Sequence, residues 1–166
     1  MDALLRKATV ADAKAINAIH NHYVRTSTCT WQTLPETDAN RVRWLKIRGP
    51  QHPVIVAEIK GLVVGWGSLS SYNSRQGWSA TVEDSVFLHP NYCGKRLGKQ
   101  ILAELIRQAR QAGHQAIIAR ISGEQTASLR LHVSLGFEPA GLLKGVGRKF
   151  DQDLDCAYLL KSLREP

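Results

Sequence analysis

With 166 residues, 43% hydrophobic and 22% charged, the chain has the length and composition of one ordinary globular domain with a sizeable core. No apolar run approaches the ~18 residues of a membrane span, and the opening MDALLRKATVADAK has no apolar signal core. The net charge of +8 raises the question of a polyanionic partner, but the basic residues are scattered apart from groups at Lys95–Lys99 and Lys144–Lys149. With no basic helix, no stacking aromatic pair and no zinc spacing, a nucleic-acid module is disfavoured. A solvated basic surface and a small anionic ligand both remain open. Cys29, Cys93 and Cys156 lie more than sixty residues apart, without metal-ligand spacing or an even disulfide set, which points to a reduced cytoplasmic setting and no metal.

In chain order, residues 2–8 suggest a first strand. Thr9 and Asp12 have the spacing of a capping box ahead of a helix with Ala13, Ile16, Ile19 and Tyr23 on one face. TSTCTWQTLPET (26–37) reads as a loop, and a short helix over 38–48 closes at Gly49-Pro50. The Val- and Ile-rich run from Pro53 to Ile59, then Lys60-Gly61, then LVVGWGSLS, predicts a hairpin. In the next strand, TVEDSVFLH (81–89), alternation puts Glu83 and Ser85 on one face and Val82, Asp84 and Val86 on the other. An apolar stripe of Ile101, Leu102, Leu105, Ile106 and Ala109 predicts a helix over 98–112 that ends at Gly113. A buried strand at 116–121, a helix at 126–135 and two strands near 137–149 and 154–162 complete the order βααβββαβαββ. No repeat or linker interrupts it, so one mixed α/β domain over 1–166 is expected.

Between strand 81–89 and helix 98–112 runs HPNYCGKRLGKQIL. A strand, a glycine-bearing loop and a helix start make a ready anion site, because the first helical N–H groups lack intrahelical partners and the dipole favours negative charge. The spacing fits neither a P-loop nor GxGxxG.

Here the chain resembles the GNAT acetyltransferases, in which a Gln/Arg-x-x-Gly-x-Gly/Ala loop wraps the pyrophosphate of acetyl-CoA. The six positions are Cys93 to Gly98: the last glycine is present, Cys93 replaces the leading Gln/Arg and Arg96 replaces the first glycine. The segments NHYVRTSTCTW, TVEDSVFLHP, ASLRLHVSLGF and GVGRKFDQDLD resemble in order and spacing the phosphinothricin and methionine sulfoximine acetyltransferase branch. The resemblance runs over nearly the whole chain. It implies a GNAT fold with a mixed central twisted sheet of about seven strands and four helices, acetyl-CoA as co-substrate and a homodimer.

It also implies roles. The backbone of Val86, Phe87 and Leu88 would hold the pantetheine, and Gly94, Lys95, Arg96, Leu97, Gly98 and Lys99 the pyrophosphate. Gln125 and Ser128 would be further cofactor contacts. Glu83 stands where the family places its base. As a carboxylate in an apolar strand it should be pushed toward neutrality if unpaired, whereas on an edge strand it would simply face water. His132 is either the acid for the leaving thiolate or a structural histidine. Asn73, Ser74, Arg75, Asp84 and Ser85 fall on the substrate-facing segment. Asn73 and Ser79 occupy positions where relatives often carry arginine, which leaves Arg75 as the substitute cation or as a solvated loop residue. Trp31 would wall the pocket or belong to the core, and Lys149 would reach a site, by way of the partner subunit in a dimer. The implied reaction acetylates the α-amino group of a small glutamate-like amino acid; another amine, a protein N-terminus, or CoA binding with little catalysis are the alternatives.

Overall fold

The computed structural model describes residues 3–164. Its elements follow the expected order: β1 (Leu4–Lys7), α1 (Ala13–Thr26), α2 (Asp38–Lys46), β2 (Val54–Ile59), β3 (Leu62–Ser71), β4 (Thr81–Leu88), α3 (Leu97–Gln111), β5 (Ala116–Ser122), α4 (Thr126–Val133), β6 (Glu138–Lys149) and β7 (Gln152–Ser162). The capping residues anticipated at Thr9 and Asp12 are in place, the Thr9 N–H donating to the Asp12 carboxylate at 2.7 Å. The β2–β3 hairpin turns on Lys60 and Gly61, both at positive φ as the two-residue primed turn requires.

All seven strands form one sheet in the order β1-β2-β3-β4-β5-β7-β6. Two apolar clusters cover its faces. On one, Ile101, Leu102, Leu105 and Ile106 of α3 pack with Leu69, Val82 and Ile117 of the sheet. On the other, Ala13, Ile16 and Ile19 of α1 and Leu45 of α2 pack on Val54, Val56 and Trp66. The alternation along β4 is as expected: Val82 and Asp84 are buried toward α3 and α4, while Glu83, Ser85 and Phe87 look toward α1 and α2.

Every sheet pairing but one is antiparallel. The exception is β4 with β5, which are parallel and stay paired for three positions, Thr81 with Ala116, Val82 with Ile117 and Glu83 with Ile118. Beyond Glu83 the two strands diverge, although β4 runs on to Leu88 and β5 to Ser122. Along Asp84–Leu88 one edge of β4 is therefore free of a strand partner, inside the sheet rather than at its rim. Backbone N–H and C=O groups along such an edge are obligatory hydrogen-bonding groups, and an extended ligand can satisfy them as an added strand would.

Glycines let α3 approach the sheet beneath this gap. A Cβ at Gly67 would stand 2.5 Å from the Ile101 side chain and 2.9 Å from that of Leu105, whereas a Cβ at Gly77 would meet nothing within 4 Å. Gly67→Ala should therefore cost about 1–3 kcal/mol through overpacking, and Gly77→Ala should stay within about 0.5 kcal/mol. Urea unfolding of the two variants checks this; equal effects would contradict the close approach of α3.

Candidate active site

A cavity of about 820 Å³ opens where β4 and β5 part, within the size range of small-molecule sites. One wall is the cofactor-side set anticipated from the sequence: Val86, Phe87, Leu88, Gly94, Arg96, Gly98, Lys99, Gln125 and Ser128 all line it. Two members of the expected set do not. Leu97 is 1% exposed and belongs to the core under α3. Lys95 is exposed, its Nζ donating to the Asn91 carbonyl at 2.8 Å and lying over the Tyr92 ring. Leu97 can offer an anion only its backbone.

The loop turns into α3 through Arg96, whose φ of +63° lies in the left-handed region. This is the position where the resembling family carries glycine, and an L side chain there costs about 1–2 kcal/mol. Gly94 also has positive φ, at +75°, with open space around it. Gly98 has a different reason to be small: a Cβ there would lie 3.3 Å from Leu131 of α4 and 3.7 Å from Leu88. It keeps the first turn of α3 close to α4 and β4, and the orphan N–H groups of that turn face the cavity end with Arg96 and Lys99 beside them.

Glu83 lines the cavity but is not the isolated carboxylate expected from its apolar strand. Arg120 of β5 grips it with a two-bond fork, Nε to Oε1 at 2.8 Å and Nη2 to Oε2 at 2.6 Å. These bonds raise the Arg120 guanidinium above its ordinary value against the opposing effect of burial. Sequence reading passed over Arg120 because it lies in an apolar strand; the three-position β4–β5 register is what carries it alongside Glu83.

His132 is 4% exposed and bonded at both nitrogens: Nδ1 to the Ser128 carbonyl at 2.7 Å and Nε2 to Asp84 Oδ2 at 3.0 Å. A carbonyl only accepts, so Nδ1 donates; toward an ionised Asp84, Nε2 donates as well. Burial works against the imidazolium, but the bond and charge of Asp84 and the Ser128 carbonyl outweigh it, and the His132 pKa is raised. Both of its N–H groups are thus directed at the protein. His132 ties α4 to β4 at the root of the gap, which fits the structural alternative better than the proton donor. Asp84, expected on the substrate-facing segment, lines the cavity but is 8% exposed, and its Oδ2 is taken by His132.

The substrate-side expectations divide. Ser85 and Trp31 line the cavity, and Trp31 is 36% exposed with its ring pressed on Gly147, where a Cβ would collide with it. Asn73, Ser74 and Arg75 do not line it. They form an exposed turn between β3 and β4, held by the Asn73 side chain accepting from the Arg75 N–H at 2.9 Å. Lys149 is also not available as a cation for substrate. It is 4% exposed, and its Nζ donates to the carbonyls of Thr30 at 3.0 Å and Tyr23 at 3.5 Å of the same chain, which anchors the loop that presents Trp31. Burial lowers its pKa. The opposite wall is made by residues the sequence gave no reason to single out: His20, Arg41, Trp44, Arg48, Trp66, Ser68 and Ser70.

Residues 16–137 match the acetyltransferase (GNAT) family. The chain belongs to that family. It is 38% identical over 162 residues to the L-methionine sulfoximine/L-methionine sulfone acetyltransferase of Salmonella typhimurium, covering 97% of this chain and 95% of that protein. Among solved structures, it superposes on yncA of Salmonella typhimurium, solved with its cofactor acetyl-CoA, at a TM-score of 0.96, with 36% identity, over 100% of this chain and 96% of that one. A ribosomal-protein-alanine N-acetyltransferase from Brucella melitensis gives a TM-score of 0.94 with 39% identity, over 96% of this chain and 99% of that one. The enzyme is thus an N-acetyltransferase with the GNAT sheet.

The raised pKa of His132 has a definite sign. Its contribution to stability is fully present below the unfolded value of about 6.5 and is lost as pH rises through the higher folded value. The stability difference between the parent enzyme and His132→Gln should therefore be larger at pH 6 than at pH 9. Urea denaturation at the two pH values measures it, and a pH-independent difference would remove the charged Asp84–His132 pair.

Proposed function

We propose that this chain, as a single cytoplasmic domain, transfers the acetyl group of acetyl-CoA directly to the α-amino group of a small glutamate-like amino acid such as methionine sulfoximine or phosphinothricin. The observation that carries this reading is the divergence of β4 and β5 beside Glu83, which leaves an extended backbone edge and a carboxylate in one cavity. The fit to acetyl-CoA rests on three features: the free edge of β4 at Val86–Leu88, the N-terminus of α3 behind Gly94–Lys99, and the lining residues Gln125 and Ser128. Acetyl-CoA supplies the acetyl group as a thioester; the protein has the tasks of binding, orientation and proton removal.

In this reading the N–H groups along the β4 edge hold the extended arm of the cofactor, and one near Leu88 faces the developing oxyanion, worth roughly 10²–10³ in rate for such a donor. The orphan N–H groups of α3, with Arg96 and Lys99, meet its phosphates. Glu83 takes one proton of the acceptor ammonium; the amine then forms the amide bond as the thioester C–S bond breaks, and its second proton goes to the departing thiolate. A carboxylate offers about four acceptor positions and Arg120 occupies two, so Glu83 can receive the amine while staying oriented. Trp31, Trp66 and Phe87 supply apolar walls that exclude water.

Likeness to the ribosomal-protein-alanine acetyltransferase structure favours a second reading, in which the amine belongs to a protein N-terminus. We propose further that two copies associate, since Leu142, Leu143 and Val146 leave apolar surface exposed on the edge strand β6. No helix among the described residues is long and apolar enough to cross a membrane.

The test is thiol release from acetyl-CoA over a panel of free amino acids and peptides. Glu83→Gln should lower kcat by about 10²-fold or more, with acetyl-CoA affinity by calorimetry unchanged. Near-normal turnover in that variant would show that Glu83 is only the structural partner of Arg120.

A further inference from the structure

The wall of the cavity opposite the cofactor side holds two cations that no carboxylate bonds among the described residues. Helix α2 and the turn after it bring Arg41 and Arg48 there. Arg41 is 6% exposed; its Nη2 bonds to His20 Nδ1 at 3.1 Å, and its Nε is buried with no hydrogen-bond partner. Arg48 Nη1 donates to the Leu69 carbonyl at 3.1 Å and to Ser70 Oγ at 3.2 Å, and its Nε is likewise buried and unpartnered. Both guanidiniums lie over the Trp44 ring, at 4.7 and 4.3 Å. Among the described residues neither takes part in a salt bridge. Glu36 is on the same wall and its charge eases that of Arg41, but its carboxylate is engaged by Asn40.

Two like charges on one apolar ring, withdrawn from water, are costly unless a ligand answers them. Burial lowers the pKa of both, that of Arg48 to about 10 with the charge of Arg41 as the second cause; a guanidinium is nonetheless a cation at neutral pH. Their neighbour His20 does not add a third charge: burial first, and then Arg41, push it down to about 4, and its neutral Nδ1 accepts from Arg41. What would answer the pair is a carboxylate, whose two oxygens match a guanidinium fork.

The register fixes how far such a carboxylate lies from the base. Ser70, held by Arg48, is directly opposite Glu83 across β3 and β4. Side chains in that relation have Cβ atoms about 4.5–5.5 Å apart on the same face, so one small molecule can meet both: the α-nitrogen and carboxylate oxygens of an amino acid are about 3 Å apart, and a hydrogen bond of about 2.9 Å at each end covers the rest. We propose that Arg48, backed by Arg41, binds the α-carboxylate of the acceptor, so that the substrate class is free amino acids and not peptide N-termini. The inference rests on the acetyl-transfer reading above. A peptide places a neutral amide where the free amino acid has its carboxylate, and would leave both cations unanswered.

The experiment uses the full chain with acetyl-CoA and compares methionine sulfoximine, its α-carboxamide and an alanine-ended peptide as acceptors. The parent enzyme should prefer the acid to the carboxamide by about ten- to a hundred-fold in kcat/KM, the scale of one hydrogen-bonded charge. Arg48→Gln should bring the two within about threefold by lowering the acid alone, Arg48→Lys should keep part of the preference, and KM for acetyl-CoA should not move. A preference that survives Arg48→Gln overturns the assignment. So does a parent enzyme that acetylates acid and carboxamide equally, a result that needs no variant and leaves the amino-acid reading standing. If the peptide is acetylated and methionine sulfoximine is not, the proposed substrate class falls together with the arginine site.

Discussion

The structure depends on a parallel strand pair that fails to stay paired. β4 and β5 are joined at three positions and then separate, so backbone groups that a continuous sheet would consume are left without a strand partner in its interior. An opening of this kind is expensive to maintain, because buried N–H and C=O groups demand partners. The protein holds it with side-chain bonds at its root. Arg120 and Glu83 bridge the strands on the α1–α2 face, and Asp84 and His132 bind β4 to α4 on the other. Two adjacent acids of one strand, pointing in opposite directions, thus hold the two faces of the same opening.

Charge is distributed with the same economy. The bulk value of +8 says little, because the cations that matter are few and are placed individually. Arg120 is committed to Glu83, Lys149 to two backbone carbonyls, and Arg6 to Asp12 and Glu58. Arg96 and Lys99 flank the start of α3, where a phosphate would sit. Arg41 and Arg48 alone combine burial, a shared aromatic ring and no acidic partner among the described residues.

The element order, the face alternation of β4 and the glycine-bearing loop before α3 were legible in the sequence because each follows from local rules of periodicity, capping and turn chemistry. The family followed from four segments in order. What the sequence could not show were pairings made across the fold. The Arg120–Glu83 fork depends on the β4–β5 register, and the Asp84–His132 bond on where α4 lands. Arg75 illustrates the reverse case. The sequence offers it either as a substitute cation or as a solvated loop residue, and its place on the exposed turn outside the cavity fits the second. Arg41 and Arg48 gave no signal, since two arginines on a short polar helix read as solvated until Trp44 and the cavity are seen beside them.

The strict alternation along β4 has a consequence for how the gene can change length. Glu83 and Asp84 are neighbours with unlike duties, one facing the cavity with Arg120 and the other buried against His132. A single-codon insertion or deletion within Thr81–Leu88 moves every later side chain to the opposite face. Placed before Glu83, it would exchange the two carboxylates and strand both of their partners at once. The exposed turn over 73–79 has no such parity to preserve. Length variation in this part of the chain is therefore confined to the turn, and the strand that follows can be edited only by substitution.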